Sequence, residues 1–562
     1  MPLLEGLDKY QGIVMAYQNT TYTQEASAQA LFGAIPFAGK LPVSSGSGYV
    51  SGAGLTTMPL GRMSYGLPEQ VGLTEGSIEV GIDSVMHLGL DVQAFPGGVV
   101  QVIKDGRTIF RKAYGFHTYE DATSAVGSIK KDYEAGVKSD AMDYFETNAL
   151  ENKVLTTSGD IKGLTKLDDV FDLASVTKVS AAALALMKMQ TEGLFDEHKS
   201  FGSYVLSLKG SNKEQLIFKD LLTHRSGLRA WIPFWRNAVD TIATVDKAIA
   251  NDASVKESLV WKAQKRNFFD RLFGRKKALV LDYEGTAKES KAWQKVLTPE
   301  NITWKPGIFS DRETGDFTVK IHDHLYLSAK AREDVLEQIR TSAINPGQGY
   351  VYSDLHFYFY PEMIKHLTGK TFEDYIGATY ASLGANSLGF LPKQKFSEDQ
   401  IIPTEYDSLF RKVQIHGEVH DEGAAMLGGI SGHAGLFGNV NDLSKLYMMY
   451  LQYGSYGGQR YIGNGIVEKF TSYQFPEENN RRGLLFDKAS LDKPGSNAPH
   501  DASPTSFGHS GYTGPFVWVD PEKNFLYIVL LNRVYPTRNN TKVIDMNLRT
   551  GIGDVIYKAL KP

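Results

Sequence analysis

Apolar positions along this 562-residue chain fall into runs that alternate between strand-like and helix-like spacing. The opening stretch reads strand, helix, strand: residues 12–17, then 23–32, then 39–43. The Gly/Ser-rich tract 44–54 that follows has the composition of a linker or loop. So few elements have little to bury, and the piece reads as the end of something larger. From about Leu67 the pattern changes. A helical stretch over 77–88 precedes Pro96-Gly97-Gly98, and two β-rich runs, 99–103 and 108–111, meet at Asp105-Gly106. Extended runs around Asp-Gly signal a tight hairpin. Helical spacing occupies the middle, including 181–193 and 359–368, while 515–519 and 525–531 flank a second hairpin turn at 520–524 and a helix over 554–560 closes the chain. Strands at both ends with helices between them predict a mixed α/β (α+β) fold. It has one central antiparallel sheet assembled from the termini, flanking helices, and a helical region beside it. No internal repeat is visible.

Two stretches interrupt this plan and read as insertions: 117–165, polar and charged, and 255–318. The second holds Lys265–Lys277, basic and aromatic; an acidic or polymeric ligand would suit it, but a solvated helix with one apolar face is the preferred reading. Composition then narrows the function classes. With 42% hydrophobic and 22% charged residues the chain has the make-up of a soluble globular protein. A formal charge of -4 gives no electrostatic reason to expect nucleic acid. There is no cysteine, so disulfides, thiolate zinc sites, iron–sulfur clusters and a cysteine nucleophile are all excluded. No apolar run is long enough to span a bilayer. The start, Met1-Pro2-Leu3-Leu4-Glu5, lacks the basic flank and apolar core of a signal peptide, which leaves open a leader absent from this sequence.

Candidate chemistry centres on Ser-x-x-Lys, which occurs at Ser128/Lys131, Ser175/Lys178 and Ser490/Lys493. Only Ser175 lies between an extended run, 170–173, and a helical one, 179–189; the other two sit in polar, loop-like sequence. Residues three apart on a helix share a face, so the Lys178 amine reaches the Ser175 hydroxyl. A serine in the first turn feels the positive end of the helix dipole, and its own N–H can form half of an oxyanion hole. The hydroxyl needs a base, and Lys178 qualifies if burial and neighbouring charge lower its pKa. Taken alone, the pattern is better read as a capping serine followed by a surface lysine.

Further segments change that balance. Residues 171–178 (Phe-Asp-Leu-Ala-Ser-Val-Thr-Lys) resemble the nucleophile segment of class C serine β-lactamases, DD-peptidases and β-lactamase-fold esterases. Residues 220–228, 346–354, 420–437 and 507–512 resemble later segments of that family, in order and with matching spacing over most of the chain from Leu67 onward. The resemblance implies a β-lactamase/penicillin-binding-protein-like sandwich and hydrolysis of an ester or amide, possible substrates including cell-wall-derived and β-lactam-like compounds, through an acyl-Ser175 intermediate without cofactor or metal. It makes Tyr352 a second candidate base, coupled to Lys178, and makes Asp354 the counterpart of the family's asparagine. An ionised Asp only accepts hydrogen bonds, so β-lactam and acyl-D-Ala-D-Ala hydrolysis are put in question. His509, with Ser510, would hold a substrate carboxylate or support the Tyr352 hydroxyl. Gly511 would let substrate lie close to the strand, and the Tyr512 N–H would complete the oxyanion hole with that of Ser175. His433 and His224 read as structural. The family also implies a monomer in the bacterial periplasm or cell envelope, acting on a small-molecule or peptidoglycan-like substrate. Residues 28–43 resemble the tail of the α/β sandwich domain of family 3 glycoside hydrolases, which divides the chain into a remnant with linker, 1–66, and a serine hydrolase domain, 67–562; no glycosidase activity transfers.

Two rival readings accompany this one. A catalytically weak or inactive ligand-binding protein would retain the pocket, Asp354 being the reason. A metallohydrolase would use His416/His420 and His322/His324, although His-Glu-x-x-His is absent and Gly417 weakens a helix there.

Overall fold

The computed structural model describes residues 7, 9–45, 48–124, 162–255, 261–263, 279–281, 295–347, 349–495 and 497–561. The Lys265–Lys277 stretch, most of the first insertion and the Ser128/Lys131 pair lie outside the described residues. The strands that position the site are β1 (Ser64–Tyr65), β2 (Gly97–Lys104), β3 (Arg107–Gly115), β4 (Phe171–Asp172), β5 (Phe437–Gly438), β6 (Phe507–Ser510), β7 (Phe516–Asp520) and β8 (Phe525–Leu531). The helices are α1 (Thr21–Leu31), α2 (Glu79–Asp91), α3 (Ala183–Thr191), α4 (Val440–Leu451) and α5 (Leu548–Ala559).

Asp105 and Gly106 both take positive φ, 52° and 74°, the backbone of a tight turn whose twist matches the strands it joins. That turn closes the β2–β3 hairpin. The second hairpin, β7–β8, docks β8 antiparallel against β2 with Leu526 opposite Ile103. The result is a six-stranded sheet in the order β1-β3-β2-β8-β7-β6, antiparallel except for the β1–β3 pair. Both chain ends therefore build one sheet, as the pattern predicts.

Both faces of this sheet are covered, which explains why β8 reads as an unbroken apolar run rather than an alternation. Tyr527 and Val529, with Val100, Val102 and Trp518, pack against Ile82 and Met86 of α2 and Ile552 and Ile556 of α5. Leu526, Ile528 and Leu530, with Val99 and Ile103, pack on the opposite side against Leu443 and Leu446 of α4 and Val179 and Leu186 near Ser175. Each such side chain contributes about 1.5–3 kcal/mol on burial. The closing helix starts six residues earlier than its sequence pattern suggests, at Leu548, because packing on the sheet outweighs the poor helix propensity of Gly551 and Gly553.

The opening stretch differs from expectation. Its helix forms, capped by Thr20, but has no buried residue, and neither 12–17 nor 39–43 is a strand. A strand needs a continuous ladder, and among the described residues 39–43 makes only two such bonds, Leu41 N–H to the Ala53 carbonyl at 2.8 Å and Gly52 N–H to the Leu41 carbonyl at 2.7 Å. No helix among the described residues is long and apolar enough to cross a membrane.

Candidate active site

Ser175 sits on a sharp turn whose shape follows from Asp172. Strand β4 pairs with β5, Asp172 opposite Phe437, and Leu173 N–H donates to the Leu436 carbonyl at 3.0 Å. The buried Asp172 carboxylate accepts from Ala174 N–H at 2.8 Å and His420 N–H at 2.7 Å. These bonds hold Ala174 at φ 44°, a left-handed conformation costing a non-glycine residue on the order of 1–2 kcal/mol. The chain then turns into the Ser175 helix, which runs as a wider π-type segment over Lys178–Ala182 before α3 begins. Such segments are rare and concentrate at functional sites.

The π-type segment starts at Lys178. Its side chain is fully buried, and its Nζ lies 2.8 Å from Ser175 Oγ, 2.7 Å from Asp354 Oδ1 and 3.3 Å from the His433 carbonyl oxygen. Three oxygens around one nitrogen suit an ammonium. Burial alone would push the amine down, yet the Asp354 carboxylate and the Tyr352 hydroxyl beside it hold its pKa above the ordinary 10.5. The expectation that burial would ready Lys178 as a neutral base therefore meets an opposing charge at Asp354.

Tyr352 is half-buried, with part of its side chain on the cavity wall. Burial pushes its phenol up from 10.0, partly offset by Lys178, whose Nζ lies 5.0 Å from the ring centre. The His224 ring lies 4.6 Å from that of Tyr352, and the Arg482 guanidinium 5.2 Å from it. Arg482 is one functional residue that sequence reading missed. It is buried, donates to the Tyr350 hydroxyl at 2.9 Å and pairs with Asp487 at 2.9 Å, placing a fixed positive charge behind the phenol. Nothing in the run Asn479-Asn480-Arg481-Arg482 marks it out, because its importance comes from a contact across the fold.

The third segment lies on β6, at the sheet edge opposite β1. His509 is buried, and its Nδ1 donates to the Ser510 carbonyl at 2.8 Å. Burial brings its pKa down to about 3, so it is neutral over the working range. A neutral, buried ring does not offer a substrate carboxylate a cation; among the described residues its Nε2 has no hydrogen-bond partner, and its ring lies 6.2 Å from that of Tyr352. Gly511 also has a packing reason: a Cβ there would come within 2.8 Å of the Leu173 carbonyl oxygen, so glycine lets this turn abut the Ser175 turn. Thr513 reinforces the junction by donating to the Asp172 carbonyl at 2.8 Å. Among the described residues, neither Ser175 N–H nor Tyr512 N–H donates to another group of the chain.

Ser175, Tyr352, Asp354 and Tyr512 line one cavity of about 530 Å³. Ser510 faces a separate hollow that also holds Arg549, whose guanidinium donates to the Gly511 carbonyl at 3.1 Å. His433, expected to be structural, lines the main cavity; its Nε2 meets Asp421 at 2.9 Å, and its carbonyl touches Lys178. Also lining this cavity, Glu405 pairs with His420 at 2.9 Å and with Arg538, and these two partners bring its pKa down to about 2 against the effect of burial. The histidines of the rival metal reading are separately engaged: His416 with the Ile401 carbonyl and His420 with Glu405. Ser490 donates to Asp492 in exposed sequence.

Three buried imidazoles give a pH dependence with a definite sign. His224, His356 and His509 stay uncharged in the folded chain because burial holds them below the ordinary 6.5. Once unfolded they bind protons near 6.5. Stability is therefore full above that value and falls as pH drops from 6.5 toward 3, by up to about 1.4 kcal/mol per pH unit for each ring. Urea midpoints at pH 8 and pH 5 check this; equal midpoints would contradict it.

A family model described as Beta-lactamase matches residues 82–258 and 309–547. A putative D-alanyl-D-alanine carboxypeptidase of Salmonella typhi is 30% identical over 259 residues, which is 42% of this chain and 60% of that relative. The chain thus spans about three fifths of the length of the curated relatives it matches. Among solved structures, a penicillin-binding protein homologue from Caulobacter crescentus has a TM-score of 0.49 at 12% identity, covering 87% of this chain and 99% of that one. An octameric penicillin-binding protein homologue from Pyrococcus abyssi has a TM-score of 0.46 at 17% identity, covering 84% and 78%.

Proposed function

The chain belongs to the beta-lactamase family, and on that premise we propose that it is a serine hydrolase cleaving an ester or amide through an acyl-Ser175 intermediate. The observation that carries this is the 2.8 Å contact between Lys178 Nζ and Ser175 Oγ at the wall of an open cavity. Ser175 Oγ attacks the substrate carbonyl in the form of the enzyme whose Lys178–Tyr352 pair has first lost one proton to solvent, and the serine proton then refills that pair, which titrates as one unit. The oxygen that becomes negative is received by the free N–H groups of Ser175 and Tyr512. The pair returns the proton to the leaving oxygen or nitrogen, and water then cleaves the acyl-serine. One domain carries this chemistry, and because strand β1 (Ser64–Tyr65) and the buried Met63 belong to its sheet and core, it begins a few residues before the expected boundary at 67, with the preceding residues as an appended remnant. By family, the substrate is cell-wall-derived or a related acyl compound met in the cell envelope.

Intact-protein mass after exposure to a fluorophosphonate tests the reading. One adduct mapping to Ser175 supports it. No adduct there favours instead a binding protein, for which the charge locked between Lys178 and Asp354 already gives a reason.

That ion pair makes a second expectation. Asp354→Asn removes the carboxylate that raises the Lys178 pKa. The rise of kcat/KM with pH should then move to lower pH, by about 1–3 units, since an opposite charge within hydrogen-bond range has that effect. The new amide also gains a donor for a substrate carbonyl, so acylation by nitrocefin should increase. An unmoved pH profile would show that Lys178 does not set it.

A further inference from the structure

The cavity that holds Ser175 has a rim of aromatic side chains that nothing in the acyl-transfer steps uses. Trp231, Tyr406 and Tyr512 all line it and are 56%, 52% and 49% exposed. Large aromatic faces left in water at the mouth of a pocket mark a recognition surface. These three are held, not loose. The backbone beside Trp231 is tied to the site because Asp354 N–H donates to the Ala230 carbonyl at 3.0 Å. Tyr406 N–H donates to the Pro536 carbonyl at 2.9 Å. The Tyr512 ring rests on the Arg533 guanidinium at 4.3 Å, leaving half of its surface open.

The wall between the rings is polar and ionised. Glu405 and Arg538 form a paired carboxylate and guanidinium there, with Arg538 also bound to Glu422 at 2.8 Å. A purely aryl or aliphatic group seated among these would strip water from charges and give nothing back. A sugar ring matches both features. Its C–H face lies flat on an aromatic side chain, and the hydroxyls around its edge accept from the partly exposed Arg538, which the buried Glu405 holds in place.

We propose that this rim is a saccharide subsite, so that the substrate of the Ser175 centre is a glycoconjugate: an acyl group carried on a sugar, or a sugar-bearing acyl compound. The proposal rests on the serine hydrolase reading for its place in a reaction, but not for binding itself. The subsite takes a neutral or N-acetylated hexose unit stacked against Trp231 or Tyr406, with the scissile carbonyl reaching Ser175 beyond Tyr512.

The test separates binding from turnover. Ser175→Ala protein is titrated with N,N′-diacetylchitobiose and with cellobiose, following tryptophan fluorescence. The proposal expects a saturable change for at least one of them at millimolar concentration or below, lost when Trp231→Ala or Tyr406→Ala is added. Both positions are mostly exposed, and thermal melts verify that each variant folds. In the Ser175 protein, Trp231→Ala should lower kcat/KM for an O-acetylated N-acetylglucosamine about tenfold more than for p-nitrophenyl acetate. No saturable change with either disaccharide, or a change that survives both substitutions, overturns the subsite. Ser175-dependent turnover of p-nitrophenyl acetate without saccharide binding leaves the hydrolase standing and removes the subsite. Saccharide binding without any Ser175-dependent turnover does the reverse.

Discussion

Ser175→Ala is expected to lower kcat/KM for p-nitrophenyl acetate by about a thousandfold or more, leaving only what binding and the two free N–H groups supply. The reason is local. Among the described residues, only Ser175 combines a turn fixed by Asp172, a partly exposed side chain and an amine at 2.8 Å. The hydroxyl makes little difference to packing, because its one recorded partner is Lys178. The thermal melt should therefore barely move while activity collapses. Initial rates and melts on the same preparations check the split, and retained turnover in the variant would place the nucleophile elsewhere.

Lys178→Met is expected to cost about 10²–10⁴-fold in kcat/KM, the usual contribution of a positioned proton acceptor. It should also destabilise the fold, unlike the serine change. Lys178 is completely buried against Asp354, and a methionine fills the volume but leaves the carboxylate without its cation. Combining the two should cost little more than Ser175→Ala alone, since groups that act as a unit are not additive. The Asp354→Asn,Lys178→Met double variant tells the two effects apart: stability should recover with the charge gone, whereas turnover should not. Recovery of turnover would mean that Lys178 acts only by neutralising Asp354.

The chain displays its site unevenly. Ser175 and Lys178 are readable because three-residue spacing on a helix translates directly into contact. The sheet is readable for a similar reason: Asp105-Gly106 admits few turns, and the apolar run of β8 requires burial on both faces. Gly511 is visible as a glycine, but its packing reason is not, since the Leu173 carbonyl it would strike lies more than three hundred positions away. Asp354 could be noticed as an oddity, yet its role as partner of Lys178 needs the fold. Arg482 and Asp487 carry no local signal at all. The strands expected at 12–17 and 39–43 fail in the opposite direction, showing suitable composition without a continuous ladder to join.

Local chemistry written into the sequence is enough to establish the helices, the hairpins, the nucleophile candidate and the family, because each depends on residues a few positions apart. Protonation is different. Whether Lys178 is charged, why His509 is neutral, and which faces of Trp231 and Tyr406 meet water all depend on burial and on charges brought in from distant segments. Solvation and Coulomb energies are properties of position in space, so they exist only once the chain has closed around them.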